Sequence, residues 1–271
     1  MMGGSMSSAQ SGDLVLEAAS LRMEYGQGSP SARTIFEGVD IRLAPGEFVS
    51  IVGHSGVGKT TLLRCLSGLQ RPTFGHVRVF GSSISSPPQE IGVVFQDYSR
   101  SLMPWMTAAA NVAFPLLGTG MPRSERQRRA LEALDQVGVG GSSNKYPWQL
   151  SGGMQQRVAI ARTLAFGSPI MLMDEPFASV DAQTRFELED LILGIRNSAG
   201  LSVLLVTHDI DEAVYLSDRV VVLAGSPAGV VDEITVPFGS HRDQVETKAQ
   251  QQFVELRTRV LDEIRKGAAV A

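Results

Sequence analysis

An α/β fold is what this sequence predicts: a largely parallel sheet, helices on both faces and an inserted helical lobe. Three observations carry that reading. Strand-length apolar runs (EFVSIVG, IGVVFQ, PIMLMDE, SVLLVTH and RVVVLAG) alternate with segments of helical period between residues 47 and 225. That is the pattern of strands buried on both faces by crossover helices. Between about residues 100 and 147 the alternation stops. There Pro104, Pro115, Pro122 and Pro147 break up helical patches such as SERQRRALEALDQVG, as in a lobe inserted into a strand-rich body. The third observation is GHSGVGKT at 53–60, a glycine-rich turn between a strand and a helix.

The elements follow in order. LVLEAASLRME at 14–24 reads as an early strand, and IFEGVDIRLAPGEFVSIVG as two strands split by the turn Pro45–Gly46. TTLLRCLSGLQ places Leu62, Leu63, Leu66 and Leu69 at helical spacing, and Pro72 ends the pattern. HVRVFG at 76–81 alternates as a strand does, and IGVVFQ is a short buried run. MQQRVAIARTLAF reads as a helix, PIMLMDE as a strand, and FELEDLILGIRNSAG as a helix closed by Gly200. SVLLVTH, DIDEAVYLS and RVVVLAG read as strand, helix and strand. In QQFVELRTRVLDEIRK, Phe253, Leu256, Val260, Leu261 and Ile264 share one helical face that would dock on the body. The expected organisation is a disordered leader at 1–13, a body at 14–240 with its helical subdomain at about 100–165, and a helical tail at 241–271.

Composition narrows the function classes. At 43% hydrophobic and 19% charged residues the chain has ordinary material for a core. Its net charge of −4 and short basic tracts set nucleic-acid binding aside. Arg123, Arg126, Arg128 and Arg129 cluster, and read as a solvated helix face. The single cysteine, Cys65, allows no internal disulfide, fits a reducing cytosol and reads as a small apolar packing residue. MMGGSMSSAQSG lacks the basic and apolar regions of a signal peptide. No apolar run approaches the ~20 residues of a membrane-spanning helix.

The chemistry begins at the glycine-rich turn. GHSGVGKT fits the phosphate-loop pattern in the strand-to-helix context that gives the pattern meaning. Its nucleotide-binding set is Gly53, His54, Ser55, Gly56, Val57, Gly58, Lys59, Thr60 and Thr61. The glycines let backbone N–H groups and the helix N-terminus surround phosphate oxygens. Lys59 supplies a charge between the β- and γ-phosphates, and the Thr60 hydroxyl can ligate Mg2+. A carboxylate must hold that metal from the far side. Asp174, at the end of IMLMDE, is placed to do so through water, and Glu175 to activate an attacking water. A second glycine-flanked helix start, LSGGMQQR at 150–157, has Ser151 as N-cap with Gly152 and Gly153 leaving first-turn N–H groups exposed. By its dipole it is a further anion site.

These motifs resemble those of the ATP-binding subunits of ABC transporters, and the resemblance covers nearly all of residues 14–240. LSGGMQQR is similar to the family signature, GHSGVGKTT to Walker A and PIMLMDE to Walker B. VVFQD with Gln96 is similar to the Q-loop, SVD at 179–181 to the D-loop, and VTHD with His208 to the switch. Val180 stands where leucine is commoner. The resemblance implies a P-loop NTPase (RecA-like) core with an N-terminal antiparallel β subdomain and an inserted α-helical subdomain. It implies a homodimer paired head to tail, in which Ser151, Gly152 and Gly153 of one copy meet the γ-phosphate of ATP on the other. It further implies that Glu175, His208 and Gln96 are catalytic, that Thr60, Gln96 and Asp174 hold Mg2+, that Asp181 sets the subunit junction and that Tyr25 stacks on adenine.

The same resemblance implies integral membrane permease partners, an extracytoplasmic substrate-binding protein and a place at the cytoplasmic face of the membrane. Leu102, Met103, Trp105 and Met106 either fill the core of the helical lobe or line a surface groove for a permease helix. LMPWMTAAANVAF and the stretch at 218–243 are similar to ATPases that import nitrate or sulfonates such as taurine, although Ser226-Pro227-Ala228-Gly229 stands where those relatives carry Arg-Pro-Gly. The alternatives are an exporter or lipid-transport ATPase, a non-transport ABC ATPase, and a small-molecule kinase. A kinase would leave LSGGMQQR and VTHD without purpose.

Overall fold

Ten strands join into one sheet because the apolar runs supply strands with two buried faces, while the N-terminal runs supply strands that alternate. The computed structural model describes residues 14–29, 31–97 and 101–269; the expected leader lies outside them. The strands are β1 (Leu16–Tyr25), β2 (Arg33–Leu43), β3 (Phe48–Val52), β4 (Phe74–Val79), β5 (Ser82–Ser83), β6 (Ile91–Val94), β7 (Ile170–Asp174), β8 (Ser202–Thr207), β9 (Arg219–Gly225) and β10 (Ala228–Thr235). The α-helices are α1 (Lys59–Leu66), α2 (Ala108–Ala113), α3 (Arg123–Gln136), α4 (Gly152–Phe166), α5 (Ala182–Ala199), α6 (Ile210–Leu216) and α7 (Gln251–Ala269).

The sheet order is β5-β4-β1-β2-β10-β9-β3-β8-β7-β6. From β9 to β6 every pairing is parallel, whereas β5, β4, β1 and β2 pair antiparallel. β10 joins the two halves, antiparallel to β9 and touching β2 at Ala228 and Phe36. Sequence reading ended the strands at Gly225 and missed β10. Val230, Val231 and Ile234 are scattered among Asp232, Glu233 and Gly229 there, so the run has no clean period of two, and pairing with β9 makes the strand.

Successive residues of the central strands enter two different cores. Phe48, Val52, Met171, Met173, Leu205 and Val222 face α2–α7, while Val49, Ile51, Leu172, Leu204, Val206 and Val221 face α1 and the antiparallel strands. Residues 101–166 supply α2, α3, α4 and short 3-10 turns to the first of these cores. α7 docks through Phe253 and Val260, which are buried, with Phe253 stacked 6.0 Å from Phe238. Leu256 and Ile264 are partly buried on the same face. Gly267 lies so close to β9 that a Cβ would stand 2.2 Å from the Ala224 side chain. Cys65 packs in the core, and burial raises its thiol pKa to about 11.

Candidate active site

Four neighbouring strands deliver the sequence-predicted residues to one edge. β3, β8, β7 and β6 lie side by side and run parallel, so their carboxyl ends align. Gly53 follows β3, His208 follows β8, Asp174 ends β7, and Gln96 lies two residues beyond β6. Carboxyl ends of parallel strands are where open α/β sheets build their sites.

The loop 53–58 is shaped by its glycines. Gly58, at φ 110°, is the left-handed N-cap of α1. A Cβ on Gly53 would stand 2.4 Å from the Leu223 carbonyl oxygen of β9, so close backbone approach excludes a side chain there. Val57 is buried, while His54, Ser55 and Gly56 border the open side of the loop. Lys59 is 5% exposed and folds back, donating to the carbonyls of Gly53 at 2.8 Å and His54 at 3.2 Å. Burial lowers its pKa, against the pull of Glu175 and Asp174.

Around the loop the acidic and polar groups converge. Thr60 Oγ1 donates to Asp174 Oδ1 at 3.1 Å, and Lys59 Nζ stands 3.9 Å from Glu175 Oε1. Gln96 Nε2 donates to Glu175 Oε2 at 3.3 Å, and His208 Nδ1 lies 3.0 Å from the same oxygen. Burial raises the Asp174 pKa against the Thr60 hydrogen bond and the charges of Arg64 and Lys59. Glu175 adopts φ 44°, a left-handed backbone that a non-glycine residue holds only when its surroundings enforce it. Its N–H donates to Val206 O at 2.8 Å, which fixes that turn to β8.

Ser151, Gly152 and Gly153 stand apart from this cluster. Ser151 caps α4, its Oγ accepting from Met154 N–H at 3.3 Å. Asp181 caps α5 in the same manner, accepting from Thr184 N–H at 3.0 Å and Thr184 Oγ1 at 2.7 Å. Thr184 also explains Gly153: a Cβ at 153 would stand 2.3 Å from the Thr184 methyl. Thus the starts of α4 and α5 are fitted together. Tyr25 is half exposed and exchanges hydrogen bonds with Gln70, just beyond α1.

Sequence reasoning missed the groups behind the cluster. Thr207, which the sequence reading took only as a letter of VTHD, bonds Asp209 and Glu212, and Arg185 pairs with Asp209; Glu212 and Arg185 belong to no motif. Nor did it divide the apolar set near residue 105. Leu102 is core and 2% exposed, Trp105 is 70% exposed, and Met106 lines an open groove of 410 Å3 with Ala110, Phe114, Leu117 and Arg126. Leu102 therefore belongs to the core, while Trp105 and Met106 stand at the surface. The arginine cluster pairs with acids on its own helix, Arg128 to Glu125 and Glu132, and Arg129 to Glu125.

Residues 36–178 match the ABC transporter family. The bicarbonate transport ATP-binding protein of Synechococcus elongatus is 42% identical over 84% of this chain and 83% of its own. The taurine import ATP-binding protein of Chromobacterium violaceum is 40% identical over 88% and 91%. Among solved structures, an ATP-binding cassette in a dimeric post-hydrolysis state with ADP and Pi superimposes with a TM-score of 0.71. It is 32% identical, over 82% of this chain and 98% of that one. By these matches the chain belongs to the ABC transporter family as an ATP-binding and ATP-hydrolysing subunit.

Proposed function

We propose that two copies of this chain pair head to tail and close on ATP and Mg2+, and that hydrolysis reopens them to drive import of a small anion. The observation that carries the reading is the convergence of Gln96 and His208 on one oxygen of Glu175, beside Lys59 and the Thr60–Asp174 pair. Glu175 accepts the proton of the attacking water, and Gln96 and His208 orient that water and the γ-phosphate. Lys59, freed from the loop carbonyls, pairs with the β- and γ-phosphates. Ser151 and the first N–H groups of α4 bind the γ-phosphate of the ATP on the other copy, which ADP cannot replace. Tyr25 stacks on adenine, and Asp181 shapes the junction through Thr184.

Two hard oxygen donors, Thr60 Oγ1 and Asp174 Oδ1, lie 3.1 Å apart at the phosphate loop, so this pair fits Mg2+. Among the described residues no group of three or more acidic, histidine or cysteine side chains could hold an ion alone; nucleotide oxygens and Gln96 complete this set. When bound, the metal neutralises phosphate charge.

No helix among the described residues is long and apolar enough to cross a membrane. Permease subunits therefore supply the passage, with this chain at their cytoplasmic face and a substrate-binding protein outside. The groove beside Trp105 is the docking site for a permease helix. Bicarbonate, named for one relative, is a small anion, and taurine, named for the other, is a small zwitterion that carries a sulfonate; this supports a substrate of the nitrate, sulfonate or bicarbonate kind. The test is Glu175→Gln with ATP and Mg2+, followed by size-exclusion chromatography and phosphate release. A long-lived dimer with hydrolysis reduced by about 10^3-fold is expected; turnover at the native rate would refute the assignment.

A further inference from the structure

The short helix behind His208 is held at both ends by groups outside the hydrolytic cluster. At its start, Thr207 Oγ1 donates to Glu212 Oε2 at 2.7 Å and accepts from Asp209 N–H at 3.0 Å. Arg185 of α5 reaches Asp209 at 3.1 Å and Glu212 at 3.7 Å. Thr207 and Asp209 flank His208, so whatever fixes α6 fixes the backbone that carries the histidine.

At its end, α6 is held by the segment that precedes α7. Arg242, with no exposed side-chain surface, donates through Nη1 to the carbonyls of Tyr215 and Ser217 at 2.6 and 2.9 Å. Those are orphan carbonyls of the helix terminus, which a buried helix must satisfy. Lys248 Nζ lies 4.6 Å from the Phe186 ring centre, 4.7 Å from that of Tyr215 and 3.4 Å from Glu189, a carboxylate 1% exposed. Gln244 Nε2 donates to Glu189 at 2.9 Å and to Asp190 at 3.0 Å, and Tyr215 donates to Asp190 at 2.7 Å. One segment therefore ties α5, which starts at Asp181, to α6, which starts beside His208.

Charge makes this tie specific. Glu189 and Glu212 are both buried, and burial raises the pKa of each. Lys248 is the foremost opposing influence on Glu189, and Arg185 is the cation that acts on Glu212. A buried carboxylate that loses its cation is costly, so the Lys248–Glu189 pair holds the segment before α7 against α5.

We propose that Arg242–Lys248 is a brace that sets the position of His208 through α6, and that Lys248 is a positioning residue for ATP hydrolysis. The inference rests on the reading of His208 as a hydrolytic residue. α6 spans two turns, about 10 Å, so a displacement at Tyr215 is carried to Asp209. α1, the helix that starts from the phosphate loop, packs on the opposite face of the sheet from α6, so the loop's own packing is left in place.

Steady-state hydrolysis by the full chain tests the brace. Lys248→Met is expected to lower kcat about tenfold while the KM for ATP changes less than twofold, and Lys248→Arg to retain the native kcat. In a Thr207→Val background, where the link from α6 to the residue before His208 is cut, Lys248→Met is expected to have at most about a twofold effect. Should Lys248→Met fail to fold, Gln244→Met carries the same measurements, since it cuts the bonds to Glu189 and Asp190 but leaves Lys248 paired. A native kcat in Lys248→Met (or in Gln244→Met where that variant replaces it), a parallel rise in KM, or the same loss in both backgrounds would overturn the proposal. His208→Ala runs alongside: its slow turnover beside a native Lys248→Met sinks the brace alone, whereas full turnover in His208→Ala sinks the site reading and the brace together.

Discussion

Gly153 shows what a single residue decides. Its φ is ordinary, and the reason for glycine is the Thr184 methyl, 2.3 Å from where a Cβ would stand. Thr184 cannot rotate freely, because its hydroxyl is held by Asp181 at 2.7 Å. Gly153→Ala is therefore expected to destabilise the chain by about 1–3 kcal/mol through overpacking. Thr184→Ser, which deletes the methyl and keeps the hydroxyl, is expected to restore most of that loss in the double variant. Thermal denaturation of both decides it; an Ala variant as stable as the parent would show that the two helix starts move apart freely. Glycine at this position was legible as part of a motif, but its packing partner was not, since residues 153 and 184 meet only after folding. Glu175 is similar. The carboxylate could be read after an apolar strand, whereas its left-handed backbone and its two partners come from β6 and β8.

At the scale of an element, α6 illustrates how a short helix is tuned by its surroundings. Burial raises the Glu212 pKa to about 7 against the Thr207 hydrogen bond. A carboxyl group whose folded pKa lies above its unfolded value holds more protons when folded. Stability then falls as pH rises from about 4.5 to about 7, and the loss is complete above that. The size of this contribution is about 3 kcal/mol. Glu212→Gln is expected to flatten the dependence and to gain stability at pH 8, read from denaturant midpoints at pH 5 and pH 8. An unchanged slope would show that Glu212 is ionised and well paired. The tail helix α7 depends on one aromatic: Phe253→Ala is expected to cost about 3–4 kcal/mol, since Phe253 is 2% exposed against Phe238. Its helical period was plain in the sequence. The brace before it was not, because Arg242, Gln244 and Lys248 look like an ordinary polar linker until α5 and α6 surround them.

The whole molecule holds half-sites rather than a complete one under the proposed reading: the phosphate loop, Glu175, His208 and Gln96 lie at the ends of β3, β7, β8 and β6, and Ser151 lies at the start of α4, bonded among the described residues only within its own first turn. Mixing tests this. Lys59→Met and Ser151→Arg are each expected to be inactive alone. Their equimolar mixture is expected to regain about a quarter of native hydrolysis, because half of the dimers are mixed and each contains one intact site. Failure of the mixture to exceed its parts would argue against a shared nucleotide. Trp105→Glu addresses the other surface: transport in vesicles with the permease is expected to be lost, with basal hydrolysis retained.

By itself the sequence determined the α/β class, the phosphate loop, a carboxylate pair at the end of an apolar strand, the Ser151 cap and the family, since each depends on residues near one another in the chain. Local spacing is enough to place a strand before a loop and a cap before a helix. Tertiary structure alone decided that β10 is a strand, that Gly53 and Gly153 yield to Leu223 and Thr184, that Leu102 is buried while Trp105 is bare, and that the buried Glu189 and Glu212 face the half-buried Lys248 and Arg185. Each of those facts is a meeting of atoms from distant segments, and excluded volume and desolvation act only once the chain has brought them together.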